Sequence, residues 1–181
     1  MPEPKLKMEM LVMPTEEMNL FNTAQDLIDF VWPKSKELIL LDGYHIPTIF
    51  VVKTDSLNII DASSMLGSNR GKNALGEMLR DIAKEDDVMS IGFVAEGWTL
   101  KGLKKENEVD EVYKEYGSLS EHPDRVEMLH LTVEMRNKTS KMCFVELERD
   151  EDGNIIKLTN EICDDVSELG GRLTGVFPAV H

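Results

Sequence analysis

Two stretches of the chain carry apolar residues at helical spacing. The first follows Thr15, a residue type that caps helices, and Pro33 is predicted to end it. The second covers residues 71–85 and has its apolar residues along one side, as in an amphipathic helix. The apolar positions are Met18, Phe21, Ala24, Leu27, Ile28 and Val31 in the first stretch, and Leu75, Met78, Leu79, Ile82 and Ala83 in the second.

The other apolar stretches are short or alternate with a period of two, which predicts strands. Residues 88–100 are apolar on both faces for most of their length, so this strand is expected at the centre of a sheet. At Met128 and Leu129 the alternation slips, which indicates a bulge. Further strands are predicted at residues 38–41, 47–53, 57–60, 125–135, 141–148 and 154–159.

The connections between these segments are short, which favours antiparallel hairpins. Asp42 and Gly43 are predicted to form one of the turns. Residues 101–116 and 161–169 are predicted to be short helices, the second ended by a glycine pair.

The resulting order is α-β-β-(β)-α-β-β-β-(β)-α, which predicts an α+β fold with helices packed on one sheet. This sheet should be mainly antiparallel, with five to six strands. The order is similar to that of roadblock and profilin-like folds, a similarity of topology that implies no function. Residues 1–181 are expected to form a single domain, in which residues 1–14 are flexible or loosely packed.

The chain is strongly acidic, with 20 basic and 34 acidic residues and a formal net charge of −14. Repulsion then opposes direct binding to nucleic acid or to an anionic membrane. Residues 146–168 hold nine acids against Arg149 and Lys157. This imbalance leaves open an acidic inhibitor or nucleic-acid mimic, although plain solubility explains the charge more simply.

A cytoplasmic location is expected. The longest apolar runs, such as residues 49–52, are too short to cross a bilayer. Residues 1–5 lack the basic-then-apolar order of a secretory signal. Cys143 and Cys163 are twenty positions apart and form no C-x-x-C pair, so buried, reduced thiols are predicted.

A weak anion-binding motif precedes the second helix, where Arg70 and Lys72 lie within residues 67–73. A phosphate-binding P-loop needs four residues between its glycines and a Ser or Thr after the lysine. Here three residues separate the glycines, and Asn73 follows Lys72. The histidines are not clustered at ligand spacing, so neither a metal nor a cofactor is expected.

Several chemically capable side chains are expected to gather at one end of the predicted sheet: Glu96, Trp98, His122, Asp124 and Arg125. A Glu96–Arg125 ion pair is the simplest interpretation, because it satisfies both groups without any function. A binding surface is the second, since tryptophan and arginine are enriched at interfaces. A hydrolase that uses Glu96, His122 and His130, with Asp124 as an alternative base, is a third.

Two motifs carry these residues, F-V-x-E-x-W at residues 93–98 and S-x-x-x-H-P-D-R-x-E at residues 118–127. Together they resemble a pattern in uncharacterised proteins of bacteria and their phages. The resemblance covers roughly residues 70–135. It implies that this range is one structural unit, and it carries no activity over to the chain.

The sequence thus predicts a small binding or accessory protein with the surface around Glu96, Trp98 and residues 122–125 as its interaction site. The expected partner is a protein of unknown identity. A homodimer through an exposed sheet edge is an alternative.

Overall fold

The protein is built around one seven-stranded sheet, in the order β1-β3-β2-β4-β5-β6-β7. The computed structural model describes residues 21–100, 111–112, 114–137, 139–166 and 175–177, together with the backbone of residues 7–11. Every neighbouring pair of strands is antiparallel. The strands are β1 (Lys7–Leu11), β2 (Thr48–Lys53), β3 (Leu57–Asp61), β4 (Val88–Leu100), β5 (Arg125–Met135), β6 (Ser140–Arg149) and β7 (Ile155–Val166).

Helices cover both faces of this sheet. Helix α1 (Ala24–Asp42) packs on one face, called here the α1 face. The short helix α2 (Ser63–Leu66) and α3 (Asn69–Ile82) pack on the other, the α3 face. Strand β4 contributes to both cores: Val94 lies in the α1 core, whereas Phe93 and Ala95 lie in the α3 core. The predicted α+β class with one antiparallel sheet is confirmed.

The central prediction, that β4 is buried on both faces, is also confirmed. Its hydrophobic run is flanked by β2 on one side and β5 on the other. The predicted strands at residues 47–53, 57–60, 125–135 and 141–148 and the predicted helix at 71–85 all have counterparts within a few residues. Of the predicted helix at residues 101–116, residues 111–112 and 114–116 are helical, and residues 101–110 lie outside the described part.

Helix α1 begins and ends later in the chain than predicted. Thr23 is its N-cap and Phe21 precedes the helix, whereas Thr15 was predicted as the cap; residues 15–20 lie outside the described part. Pro33 was expected to end the helix, yet it continues through residues 38–41, which were predicted as a strand, to Asp42. The second half of the helix still buries Ser35 and Ile39, and this burial offsets the hydrogen bond that proline removes. The Asp42–Gly43 turn is a helix C-cap, in which Gly43 adopts φ 75° and its N–H donates to the Ile39 carbonyl at 3.0 Å.

Three further predictions change at the sheet edges. Strand β1 adds an edge that the sequence did not predict, within the segment expected to be loosely packed. The helix predicted at 161–169 is wrong as far as Val166, because β7 continues to that residue, and residues 167–169 lie outside the described part. The bulge predicted at Met128 and Leu129 is wrong, because the β4–β5 and β5–β6 registers are continuous through both residues; register shifts occur in the β2–β4 and β6–β7 pairs.

The prediction of reduced cysteines is wrong as well. Cys143 on β6 and Cys163 on β7 are opposite each other in the register and are joined by a disulfide. Cys143 is buried in the α1 core, while Cys163 lies exposed on the edge strand. Sequence separation alone does not reveal such a pair, because it depends on the register of the hairpin.

Candidate functional site

An arginine and two glutamates contact one another in the region predicted as a site. They are called here the Arg149 cluster: Glu96, Glu127 and Arg149. Strand alternation places all three on the α1 face, beyond the C-terminal end of α1. The Arg149 guanidinium binds Glu127 in a bidentate manner, with Nε–Oε2 at 2.7 Å and Nη2–Oε1 at 2.6 Å. Its Nη2 also lies 3.5 Å from Glu96 Oε2.

The Arg149 cluster holds the loop that follows α1. Arg149 Nη1 donates to the Gly43 carbonyl at 3.3 Å and to the Gly153 carbonyl at 2.9 Å. Glu96 Oε1 accepts the backbone N–H of His45 at 2.5 Å. The sheet therefore fixes this loop through both a cation and a carboxylate.

Glu96 is a perturbed carboxyl group. Burial is the main cause that raises its pKa, and the neighbouring Glu127 carboxylate adds to the rise. The His45 N–H and the Arg149 guanidinium act in the opposite direction. The predicted Glu96–Arg125 ion pair is wrong, because Arg149 is the cation beside Glu96.

Arg125 instead contacts Trp98. Its guanidinium carbon lies 5.2 Å from the centre of the indole ring, and Nη1 donates to the His122 carbonyl at 3.3 Å. Trp98 keeps 38 % of its surface exposed, and Arg125 is exposed. The two side chains form a stacked pair on the surface beside the Arg149 cluster.

His122 and Asp124 lie in the turn that leads into β5, after a 3₁₀-helix at Leu119–Glu121. The Nδ1 atom of His122 accepts the Asp124 N–H at 3.0 Å. The ring packs edge-on against Tyr116, with ring centroids 4.6 Å apart. His122 therefore shapes the turn, which sets where Arg125 enters the strand.

His130 is on the opposite face of the sheet from Glu96. It pairs with Ala95 in the β4–β5 register and packs edge-on against Phe93 in the α3 core. Burial lowers the pKa of His130 to about 4. Because the sheet separates the two side chains, Glu96 and His130 cannot act as the acid–base pair of the hydrolase hypothesis.

Arg70 and Lys72, the weak anion-binding candidates, lie in the first turn of α3. The Ser68 side chain caps this helix by accepting the Gly71 N–H at 3.0 Å. Gly71 itself lies against α2: a Cβ atom there would be 2.2 Å from the Met65 carbonyl oxygen. The close packing of α3 on α2 explains why a glycine is present at position 71, and this explanation requires no bound anion.

The acidic residues of 146–166 do not share one face. Glu161 and Asp165 lie on the α1 face, where they pair with Lys36 and Lys141. Other carboxylates point to the α3 face or sit in the β6–β7 turn; these are Glu146, Glu148 and Asp164 on the face, and Asp150, Glu151 and Asp152 in the turn. The single exposed acidic face expected of an inhibitor or nucleic-acid mimic is not formed by the described residues.

The sequence predicted the neighbourhood of the site and missed two of its members. These members are Glu127, the last residue of the second motif, and Arg149, the last residue of β6. Arg149 contacts the Gly43 carbonyl just after the end of α1. Alternation with the buried residues of β6 places Arg149 on the α1 face, but its two glutamate partners follow only from the β5–β6 register. Within the described ranges, no group of three or more His, Cys, Asp or Glu side chains is arranged to hold a metal ion.

Comparison with known proteins adds no assignment: no known family, no curated protein and no solved structure matches the chain. Among the residues that the structure describes, no helix is both long and apolar enough to cross a membrane.

Proposed function

We propose that this is a binding or accessory protein, and that a protein partner docks on the exposed Trp98–Arg125 pair beside the Arg149 cluster. The observation that carries the proposal is an exposed tryptophan stacked by an arginine at the end of two paired strands. Tryptophan and arginine are the residues most often found at the energetic centres of interfaces. A partner that covers this pair would desolvate both side chains at little conformational cost, because each is already held by the other.

The Arg149 cluster supports this role as a base for the surface. It joins β4, β5, β6 and the loop after α1, so the end of the sheet does not have to become ordered on binding. Preorganised surfaces lose less entropy when a partner associates.

The test is capture of a partner by the double variant Trp98→Ala/Arg125→Ala. Affinity chromatography with the full chain should retain a protein from lysate of the source cells, and the double variant should lose it while its thermal midpoint changes little. The matched control is Ile156→Ala/Lys157→Ala, which removes an exposed apolar side chain and a cation from β7. Equal capture by both variants, or unfolding of the Trp98 variant, argues against the proposal.

Neither alternative function gains support from the geometry. The hydrolase hypothesis needs Glu96, His122 and His130 to converge, and Glu96 and His130 are on opposite faces. The nucleic-acid mimic needs a continuous acidic face, and the carboxylates of 146–166 are divided between two faces and a turn. A homodimer through an edge strand, β1 or β7, is a separate proposal that sedimentation equilibrium would test.

We also propose a cytoplasmic location. The Cys143–Cys163 disulfide counts against it, since disulfides are rare in cytosolic proteins. Alkylation of free thiols in intact cells, followed by mass spectrometry of the Cys163 peptide, shows whether Cys163 is a reduced thiol or part of the disulfide. An alkylated thiol supports the cytoplasm, and a protected disulfide contradicts it.

A further inference from the structure

A cavity of about 340 Å³ opens on the α1 face, between the C-terminal end of α1 and strands β2 and β3. Helix α1 packs mainly over β5, β6 and β7, so among the described residues no helix covers this side of the face. The cavity is lined by residues from α1, the following loop and the strand ends: Leu38, Asp42, Tyr44, His45, Ile46, Thr48, Ile59 and Asp61.

The rim of the cavity is apolar and exposed. Leu38, Tyr44 and Ile46 each leave about half of their surface in water, and Leu41, one turn along α1, is 73 % exposed. A cavity of this volume holds one large side chain or a small ligand. The apolar rim extends beyond it, which favours a larger occupant that covers the rim as well.

The polar groups of the cavity favour a cationic occupant. The charged lining residues, Asp42 and Asp61, are both acidic. The buried His45 side chain adds an Nδ1 atom that has no hydrogen-bond partner among the described residues. Burial lowers the pKa of His45, against an opposing contribution from the Ile46 backbone. A neutral imidazole can accept a hydrogen bond at one nitrogen.

The cavity is distinct from the Trp98–Arg125 surface. The loop that holds Tyr44 and His45 lies between them, and Glu96 and Arg149 bind the backbone of that loop from the sheet. The loop therefore forms a fixed wall of the cavity, and an occupant need not order it.

We propose that this cavity docks a peptide segment of a partner protein in which an apolar side chain is followed or preceded by lysine or arginine. The apolar side chain fills the space between Leu38, Ile46 and Ile59. The cation lies at the Asp42 end, because the Oδ1 atom of Asp61 already accepts the N–H and the hydroxyl of Ser63. The net charge of −14 speeds the approach of such a basic segment.

The test is a selection from a random heptapeptide library displayed on phage, with the full chain as the target. Enriched peptides should combine a large apolar residue with an adjacent Lys or Arg. Their affinity, measured by fluorescence anisotropy of a labelled peptide, should fall by about tenfold or more in Asp42→Lys/Tyr44→Ser. Both positions are exposed, and a lysine near the end of α1 suits the helix dipole, so this variant should fold.

The matched control is Asp164→Lys/Ile162→Ser, which makes the same change of net charge and removes an exposed apolar side chain on β7. It should leave the affinity unchanged. An equal loss in the control shows general attraction to an acidic protein and overturns the proposal. So does the absence of a basic, apolar consensus, or a loss of binding in Trp98→Ala/Arg125→Ala, which assigns the peptides to the other surface.

Discussion

At the scale of single residues, Arg149 is the group on which the end of the sheet depends. It is shared by two half-buried carboxylates and two backbone carbonyls. Removing the arginine leaves two carboxylates without their cation. The resulting loss of folding free energy is larger than the net contribution of the ion pairs themselves.

We therefore expect Arg149→Met to lower the free energy of unfolding by about 2 kcal/mol at pH 7. The loss should shrink as pH falls through the raised pKa of Glu96, because a protonated Glu96 no longer repels Glu127. Urea unfolding at pH 5 and pH 7 measures both effects. The control Arg125→Met loses an exposed contact with Trp98 and should cost less than about 1 kcal/mol. A larger loss of stability in Arg125→Met than in Arg149→Met would indicate that Arg125, and not Arg149, is the cation paired with Glu96.

His130 should make the protein sensitive to acid. The pKa of its ring is lowered from 6.5 to about 4 by burial, so the unfolded chain binds a proton at a pH where the folded chain does not. This stabilising difference is complete above pH 6.5 and is lost progressively as pH falls toward 4. Between pH 7 and pH 5, the wild type should lose on the order of 2 kcal/mol more than His130→Leu does.

Chemical denaturation across that pH range measures the difference. His122→Gln serves as the control, because His122 lies in a surface turn. If the wild type and His130→Leu lose stability in parallel, the ring is not held neutral by the fold.

At the scale of elements, the junction of α2 and α3 depends on one glycine. Helix propensity predicts that Gly71→Ala stabilises α3 by about 1 kcal/mol. The close approach to the Met65 carbonyl predicts the opposite, a loss of about 1–3 kcal/mol, since backbone atoms would have to move. The thermal midpoint decides between them. Gly67→Ala is the matched control: its Cβ would meet nothing within 4 Å, and its backbone is already right-handed helical.

Helix α1 shows how packing overrides a local signal. Proline in a helix interior removes a hydrogen bond and clashes with the preceding turn, which is why Pro33 predicted an end. The contacts that the helix makes beyond Pro33 cannot be read from the local sequence, but the buried side of α1 continues through Ser35 and Ile39. The apolar run at residues 38–41 therefore belongs to a helix with one buried and one exposed side.

At the scale of the whole molecule, the excess of acids opposes folding through repulsion. Several acids are paired, as in Lys36–Glu161 and Lys53–Glu85, yet the 34 acidic residues outnumber the 20 basic residues by 14. Salt screens this repulsion over about 10 Å at 0.1 M.

We expect the thermal midpoint to rise as NaCl is increased from low to moderate concentration. Charge reversal at exposed acids on the β6–β7 hairpin, Glu148→Lys/Glu151→Lys/Asp164→Lys, should flatten this dependence, because it changes the net charge from −14 to −8. Differential scanning calorimetry measures both. A midpoint that falls with salt would indicate that favourable ion pairs outweigh the repulsion.

The hydrophobic pattern was enough to predict most strands, the amphipathic helix that became α3 and the antiparallel sheet. These features depend on spacing along the chain, since side chains that alternate or recur every three to four residues need a particular backbone. The pattern also brought Glu96, Trp98 and Arg125 to one end of the sheet, because motifs at the ends of neighbouring antiparallel strands meet.

Partners across the sheet required the folded chain. Arg149 reaches Glu96 and Glu127 through the register of β5 with β6, and Cys143 reaches Cys163 through the register of β6 with β7. A shift by one residue would send each side chain to the other face, and nothing local in the sequence specifies that register. The cavity beside α1 likewise arises from where the helix packs on the sheet.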